Sequence, residues 1–496
     1  MGSKRDRDTL TILHTNDLHS HFEQMGRIAA FILAEKAQGK PVCTLDVGDH
    51  MDRMAIETEG SLGRANVDIL NRSGYDAVTI GNNEGLTFTP AQLGEAYASL
   101  RCPVICGNVR LEDGSLPPWL KTSAVVESGG FRIGVLGLTA PFTDFYKLLG
   151  IDATDPFAAL QERVNELRER ADIVVLLSHL GLASDERIAG MTQGIDLILG
   201  GHTHHLLEEP IAIGGTTVCA AGKFGRHIGR IVVERSAETG GCVVAEAGLV
   251  LLDDAPSDDR TDRAIAMHHE EALERLRRVA AVSDRDLPID YESESQLGNL
   301  LAQSVRQFAG GEFSLVNSGQ ALGPVPAGEI TEGMLHALCP SPINPCVVTL
   351  RGSDILRSLE QSLLPEYTGR KLTGFGFRGE RLGGLCADGL TIVYDPAGEA
   401  YARIVEVRTS ERTIEADGEY RVGTLDMFTF GAGYESLSRG TDKTFILPEF
   451  LRDLLRMELG RPGAAEQAAM PRWVPSGAQS GLNAGGIEVE RRRNQS

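Results

Sequence analysis

At 496 residues, with 42% hydrophobic and 24% charged content, the chain is too long for one ordinary core and has the make-up of a soluble globular protein of two domains. Its formal net charge of −21 argues against a nucleic acid polymer as partner, because such binding is built on basic surface; a small nucleotide or phosphate ester fits where cations mask the local charge. There is no apolar run of about 18 residues to suggest a membrane partner, and the opening MGSKRDRDTLTIL lacks the apolar core of a secretory signal.

Strand-like and helix-like segments alternate through the first half. Short β-rich runs fall at residues 9–14, 42–47, 77–80, 131–138, 173–177 and 196–199. Between them, residues 26–36 put Ile28, Ala29, Ile32 and Leu33 on one helical face, and residues 156–170 do the same with Phe157, Leu160, Val164 and Leu167. This alternation predicts a layered α/β domain over residues 8–253, ending at the acidic LDDAPSDDRTD. A linker helix is expected over 258–283, with Ile265, Ala272, Leu273 and Leu276 along one stripe. A second, smaller α/β domain is expected over 284–459, its last helix PEFLRDLLRMEL stopping at Gly460. The Gly-, Ala- and Pro-rich remainder, 460–496, reads as a disordered tail. Eight scattered cysteines with no CxxC pair exclude a zinc ribbon and predict reduced thiols in a cytoplasmic protein.

Five of the predicted strands end in the same chemistry. The first runs into TNDLHSH at 15–21, the second into GDH at 48–50, the third into GNNE at 81–84, the fifth into SHLG at 178–181 and the sixth into GHTHH at 201–205. Ligand sites in α/β sheets gather beyond the carboxyl ends of strands, so these ends deliver Asp17, His19, Asp49, Asn82, His179, His202 and His204 to one edge. In extended backbone the pairs Asp17/His19 and His202/His204 would project to the same side. Seven ligands are too many for one ion. Two ions sharing a carboxylate fit better: Asp17, His19, Asp49 and His204 around the first, and Asp49, Asn82, His179 and His202 around the second. A mix of carboxylate and imidazole without thiolate suits two divalent transition metal ions, Mn, Zn, Fe or Co.

These motifs, in this order, resemble those of the calcineurin-like metallophosphoesterase superfamily, and within it the 5'-nucleotidase family. GNNEG and GFGFRG resemble a cytoplasmic bacterial branch of that family. The resemblance implies a four-layer αββα catalytic domain with Asp49 as the bridge, plus a C-terminal substrate domain. It also implies hydrolysis of nucleoside 5'-monophosphates to nucleoside and phosphate. In the second half VNSGQA (316–321), GFGFRG (374–379) and TLDMFTFGAGY (424–434) sit where the family places substrate-binding segments, which makes Asn317, Phe375, Phe377, Arg378, Phe428 and Phe430 the candidates for holding base and phosphate. Alternation along FGFRG would point Phe375 and Phe377 the same way.

The chain departs from the family pattern at three places. Asn83 stands where the family has a catalytic His, no Arg follows Asn317 closely, and Ala432 replaces an expected Asp. An amide donates a hydrogen bond but releases no proton, so His21, His50, His205 or a metal-bound water becomes the candidate proton donor. The departures leave open a cyclic-nucleotide phosphodiesterase or nucleotide-sugar pyrophosphatase on the same centre, and a non-catalytic nucleotide-binding protein.

Overall fold

The computed structural model describes residues 9–236 and 241–477. The chain divides into two compact units at Arg275/Leu276.

The first unit rests on two sheets. One has seven strands in the spatial order Cys242–Leu251, His227–Arg235, Thr9–Thr15, Val42–Asp46, Ala77–Val78, Val104–Ile105 and Leu120–Lys121. The other has six, in the order Ile211–Ile213, Thr216–Cys219, Leu197–Gly200, Ile173–His179, Phe131–Thr139 and Ser123–Ser128. Thr9–Thr15 pairs in parallel with Val42–Asp46, and Ile173–His179 in parallel with both Phe131–Thr139 and Leu197–Gly200, so these strands finish at common edges.

Alternation of side chains sorts the layers. Ile173, Val175 and Leu177 join Leu10, Ile12, Leu45, Leu197 and Leu199 in one fully buried cluster drawn from both sheets, so the sheets pack face to face. The intervening Val174, Leu176 and Ile198 turn outward onto Leu160, Val164, Leu167 and Ile188 of the helices Leu160–Arg168 and Leu182–Met191. Leu13 and Val78 turn to the opposite outer face, onto Ile28 and Ile32 of Phe22–Ala37 and Val67 and Leu70 of Arg64–Ser73. Helix, sheet, sheet, helix is therefore the layer order. Burial on both faces explains why these strands read as nearly continuous apolar runs.

The expected linker helix is shorter than 258–283. It spans Asp259–Arg275 and lies against the helix Ile56–Ser61, where a Cβ on Gly60 would meet Ala272 Cβ at 2.6 Å. Residues Val279–Ser283 instead form a strand antiparallel to Gly328–Thr331. The helical stripe fails there because Val279 and Val282 are β-branched, which favours pairing over continued helix.

The second unit holds a five-stranded sheet in the order Leu385–Asp388, Phe313–Asn317, Glu419–Leu425, Pro345–Arg351 and Thr441–Phe445. Gln296–Ala309, capped by Ser295, buries nine consecutive residues beside it. The stretch after Gly460 corrects the expectation of disorder as far as it is described. Ala464–Ala468 is helical, and Trp473–Pro475 pairs in parallel with Thr391–Tyr394. Arg472, only 6% exposed, meets Asp388 at 2.9 Å. A low-hydrophobicity average hides these few anchoring residues; 478–496 lie outside the described residues.

Candidate metal centre

The polar strand ends meet at one edge of the first unit. Asp17, His19 and His204 form one convergent group, and Asp17, Asp49 and His179 another. His204 Nε2 lies 3.4 Å from Asp17 Oδ1 and 3.2 Å from His19 Nε2. Asp49 Oδ2 lies between two imidazoles, 3.8 Å from His19 Nε2 and 3.4 Å from His179 Nε2. Asn82 Oδ1 is 2.8 Å from His202 Nδ1, and the His202 amide donates to both oxygens of Asp17 at 3.1 Å. All seven residues expected from the strand ends are thus brought together.

Their backbone is not the extended chain assumed from the i, i+2 spacing. Asp17, His19, Ser20, Asp49, His202 and His204 have φ of 51°, 47°, 54°, 51°, 71° and 57°, half of the twelve non-glycine residues with positive φ among the described ones. Each such residue costs on the order of 1–3 kcal/mol, so the strain is concentrated at this edge. Backbone hydrogen bonds between two loops hold it: Asp17 N to Gly48 O, His19 N to Asp49 O and Ser20 N to His50 O, at 2.8–3.1 Å. Gly81 is needed for space, since a Cβ there would lie 2.0 Å from Asp49 Oδ1 and 2.6 Å from His179 Nε2.

Surrounding groups fix the ring orientations. His179 Nδ1 faces Val47 O at 2.9 Å, which aims Nε2 into the cluster; that atom is fully buried and has no hydrogen-bond partner. Buried polar atoms are rarely left so, and an unpartnered imidazole nitrogen beside two buried carboxylates fits a cation. Burial pushes the Asp17 carboxyl up, but the His204 hydrogen bond and the His179 charge outweigh it and hold it below the usual carboxylate range. Burial alone would lower His179, yet the Asp49 and Asp17 charges raise it to about 10.

Four supporting residues are not among the expected ligands, although Asn16 and Glu84 lie inside the TNDLHSH and GNNE motifs. Asn16 donates to Asp17 Oδ2 at 2.7 Å and to Gly222 O at 2.6 Å. Asp52 Oδ2 sits 3.4 Å from His19 Nδ1. Glu84, wholly buried, accepts from the backbone N–H of Asp49 (2.9 Å), Met51 (2.7 Å) and Gly81 (2.8 Å), tying two site loops together. Asp46 lies 3.1 Å from His50 Nδ1. The available signal was the pair of carboxylates, Asp46 and Asp52, evenly flanking the candidate ligand Asp49 along the chain.

Asn83 stands beside the cluster: its backbone N–H donates to Asp49 Oδ1 at 2.7 Å, and its Nδ2 is 2.8 Å from His19 Nδ1. The candidate proton donors fare unequally. His50 is corrected, since it is 2% exposed and held between Asp46, Glu84 and the Tyr97 hydroxyl, which is 3.2 Å from its Nε2. His21 pairs with Glu23 at 2.5 Å and lies over Phe224, and His205 Nδ1 bonds the Thr203 hydroxyl at 2.8 Å.

In the second unit the aromatic candidates separate. Phe377 and Phe428, at 3% and 0% exposure, are core residues, so neither is free to stack on a base. Phe375 and Phe430, at 52% and 46%, have nearly parallel rings, with centroids 6.4 Å apart and planes within 15°. Positive φ at Gly374, Phe375 and Gly376 breaks the extended alternation that would have put Phe375 and Phe377 on one side. Asn317 is fully buried and donates to Leu382 O at 2.6 Å, so it braces a loop. The Arg378 guanidinium donates to Phe377 O at 3.3 Å.

Residues 10–206 match the calcineurin-like phosphoesterase family, and residues 275–438 match the 5'-nucleotidase C-terminal domain. The chain is 33% identical to the uncharacterized metallophosphoesterase YunD of Bacillus subtilis (strain 168), over 92% of this chain and 100% of that one. The 5'-nucleotidase precursor of Thermus thermophilus has the same fold, with a TM-score of 0.58 at 24% identity over 94% of this chain and 99% of that one. So does the NAD nucleotidase of Haemophilus influenzae, at 0.67 and 16% over 94% and 97%. Two family matches at the two units, with a relative aligned end to end, place the chain among the calcineurin-like metallophosphoesterases with a 5'-nucleotidase C-terminal domain, a family of metal-dependent phosphoester hydrolases.

Proposed function

We propose that the protein hydrolyses nucleoside 5'-monophosphates to nucleoside and phosphate. The observation that carries this is the convergence of Asp17, His19, Asp49, His179 and His204, joined by Asn82 and His202, beside a buried imidazole nitrogen that makes no hydrogen bond. Asp17, His19, Asp49 and His204 would hold one divalent ion, and Asp49, Asn82, His179 and His202 the other. The place of Asp49 Oδ2 between two imidazoles supports its role as the shared ligand. Two such ions supply activation of water and charge neutralisation for a phosphoryl group. Mn, Zn, Fe or Co suits the donor set.

The chain's own residues do the rest. Asn16, Asp52 and Val47 O orient the ligands, and Glu84 keeps the Asp49 and Gly81 loops in register. Asn83 contributes a hydrogen bond and no proton, so the leaving group takes its proton from elsewhere. Phe375 and Phe430, the exposed pair, are the candidates for stacking on a base. The eight unpaired cysteines support the cytoplasmic setting read from the sequence.

The test is turnover of AMP, 2',3'-cyclic AMP, UDP-glucose and para-nitrophenyl phosphate by Mn-loaded protein. Preference for AMP, with KM raised by Phe430→Ala and kcat on para-nitrophenyl phosphate unchanged, supports the reading. Preference for either diester-type substrate refutes it in favour of the phosphodiesterase or pyrophosphatase alternative. Nucleotide binding without turnover refutes catalysis.

A further inference from the structure

A concave site lies in the first unit, and no residue of the metal centre lines it. It is a cleft of about 800 Å³ between the helix Pro90–Tyr97 and the loop before the strand Leu120–Lys121. The volume is within the range of small-molecule pockets, about 300–1,000 Å³. Two aromatic rings line it: Trp119, half-buried, and Tyr97, 4% exposed, with centroids 5.3 Å apart and planes 35° apart. Gly94 leaves room for the indole, since a Cβ there would already meet Trp119 Cδ1 at 3.3 Å.

The cleft is built rather than collapsed. The Tyr97 hydroxyl is 3.2 Å from buried His50 Nε2, which fixes the ring from behind. Pro117 and Pro118 precede Trp119 and stiffen the wall it stands on. At the edge are Arg101 and Lys121, both exposed, and neither side chain has an ion-pair partner among the described residues. Both cations are therefore open to an anion lying against the aromatic surface.

The geometry points to a binding site for a planar aromatic anion, its ring against Trp119, which the buried Tyr97 ring backs, and its carboxylate or phosphate on Arg101 and Lys121. Aromatic walls with a few placed charges are how such pockets combine affinity with orientation. The lining and the metal centre share no residue, so the inference does not rest on the proposed reaction.

Tryptophan fluorescence reads it directly. The chain has two tryptophans, so in a Trp473→Phe background Trp119 reports alone. The probe is 4-nitrobenzoate, a contact quencher, compared with neutral 4-nitrobenzyl alcohol, each titrated into the full-length metal-loaded protein. Saturable quenching by the acid is expected, with weaker binding of the alcohol. The double variant Arg101→Gln/Lys121→Gln, both at exposed positions, should weaken the acid by about tenfold, the combined effect of two solvent-screened ion pairs. Linear, non-saturating quenching, equal binding of acid and alcohol, or unchanged affinity in the double variant would each overturn the assignment.

Discussion

Replacing Gly81 by Ala isolates the metal centre from the fold around it. Gly81 has φ −99° and ψ −168°, extended backbone that alanine adopts without strain. The added methyl would lie 2.0 Å from Asp49 Oδ1 and 2.6 Å from His179 Nε2, so the carboxylate or the ring must give way. Reaching ordinary contact near 3.5 Å moves the Asp49 oxygen by about 1.5 Å. A displacement of about 1 Å in a catalytic constellation can cost about 10²-fold, so kcat/KM on para-nitrophenyl phosphate should fall by at least that much. Overpacking should cost the fold only about 1–3 kcal/mol, leaving a cooperative melt. The assay pairs steady-state kinetics at saturating metal with metal content by mass spectrometry and a thermal melt. A variant within about threefold of the parent in kcat/KM and equal in bound metal would refute the placement of Asp49 and His179 as cooperating ligands, since a threefold change is under about 1 kcal/mol.

Three further outcomes follow from the same contacts. Metal binding should release protons at pH 7, because the Asp49 and Asp17 charges hold His179 protonated up to about pH 10 in the metal-free protein. Affinity should therefore rise with pH over that range, and calorimetry in buffers of different ionisation enthalpy should show the release; buffer-independent enthalpies would contradict it. Glu84→Gln puts an amide donor against backbone N–H groups that now share a carboxylate, and the buried mismatch should cost about 1–3 kcal/mol in denaturant unfolding and weaken metal binding. No change in either would remove Glu84 from the support of the site. Asn83→His supplies a group able to release a proton beside the cluster, and should raise turnover of alkyl phosphates relative to aryl phosphates by up to about 10²-fold, the low end for general acid catalysis. Equal effects on both substrates would show that leaving-group protonation is not limiting.

The site was legible where chemistry changed abruptly along the chain. Apolar runs ending in Asp, His and Asn beside glycine mark strand ends, and parallel pairing brings such ends to one edge. The side-chain directions have a different cause from the one the spacing suggests, since positive φ at Asp17, His19, His202 and His204, not extended alternation, turns those groups inward. Local sequence does not announce strain that distant loops impose. The aromatic candidates show the same limit. Phe375 and Phe377 lie close together in FGFRG, yet one is exposed and the other is core, because consecutive positive φ from Gly374 through Gly376 turns the chain between them. Glu84 reads as one letter of a motif; its three backbone partners lie on two loops that only the fold brings together. The order of the segment after Gly460 is hidden in composition because an average gives no weight to a single buried Arg472–Asp388 pair.

The central claim is that one edge of the two-sheet unit holds a pair of divalent cations. Anomalous diffraction from crystals of Mn-loaded protein, collected at the manganese edge, tests it most directly. Two peaks are expected about 3.5–4 Å apart, both within reach of Asp49, one beside His19 and His204 and the other beside His179 and His202. A single peak, or density remote from Asp49, would contradict it.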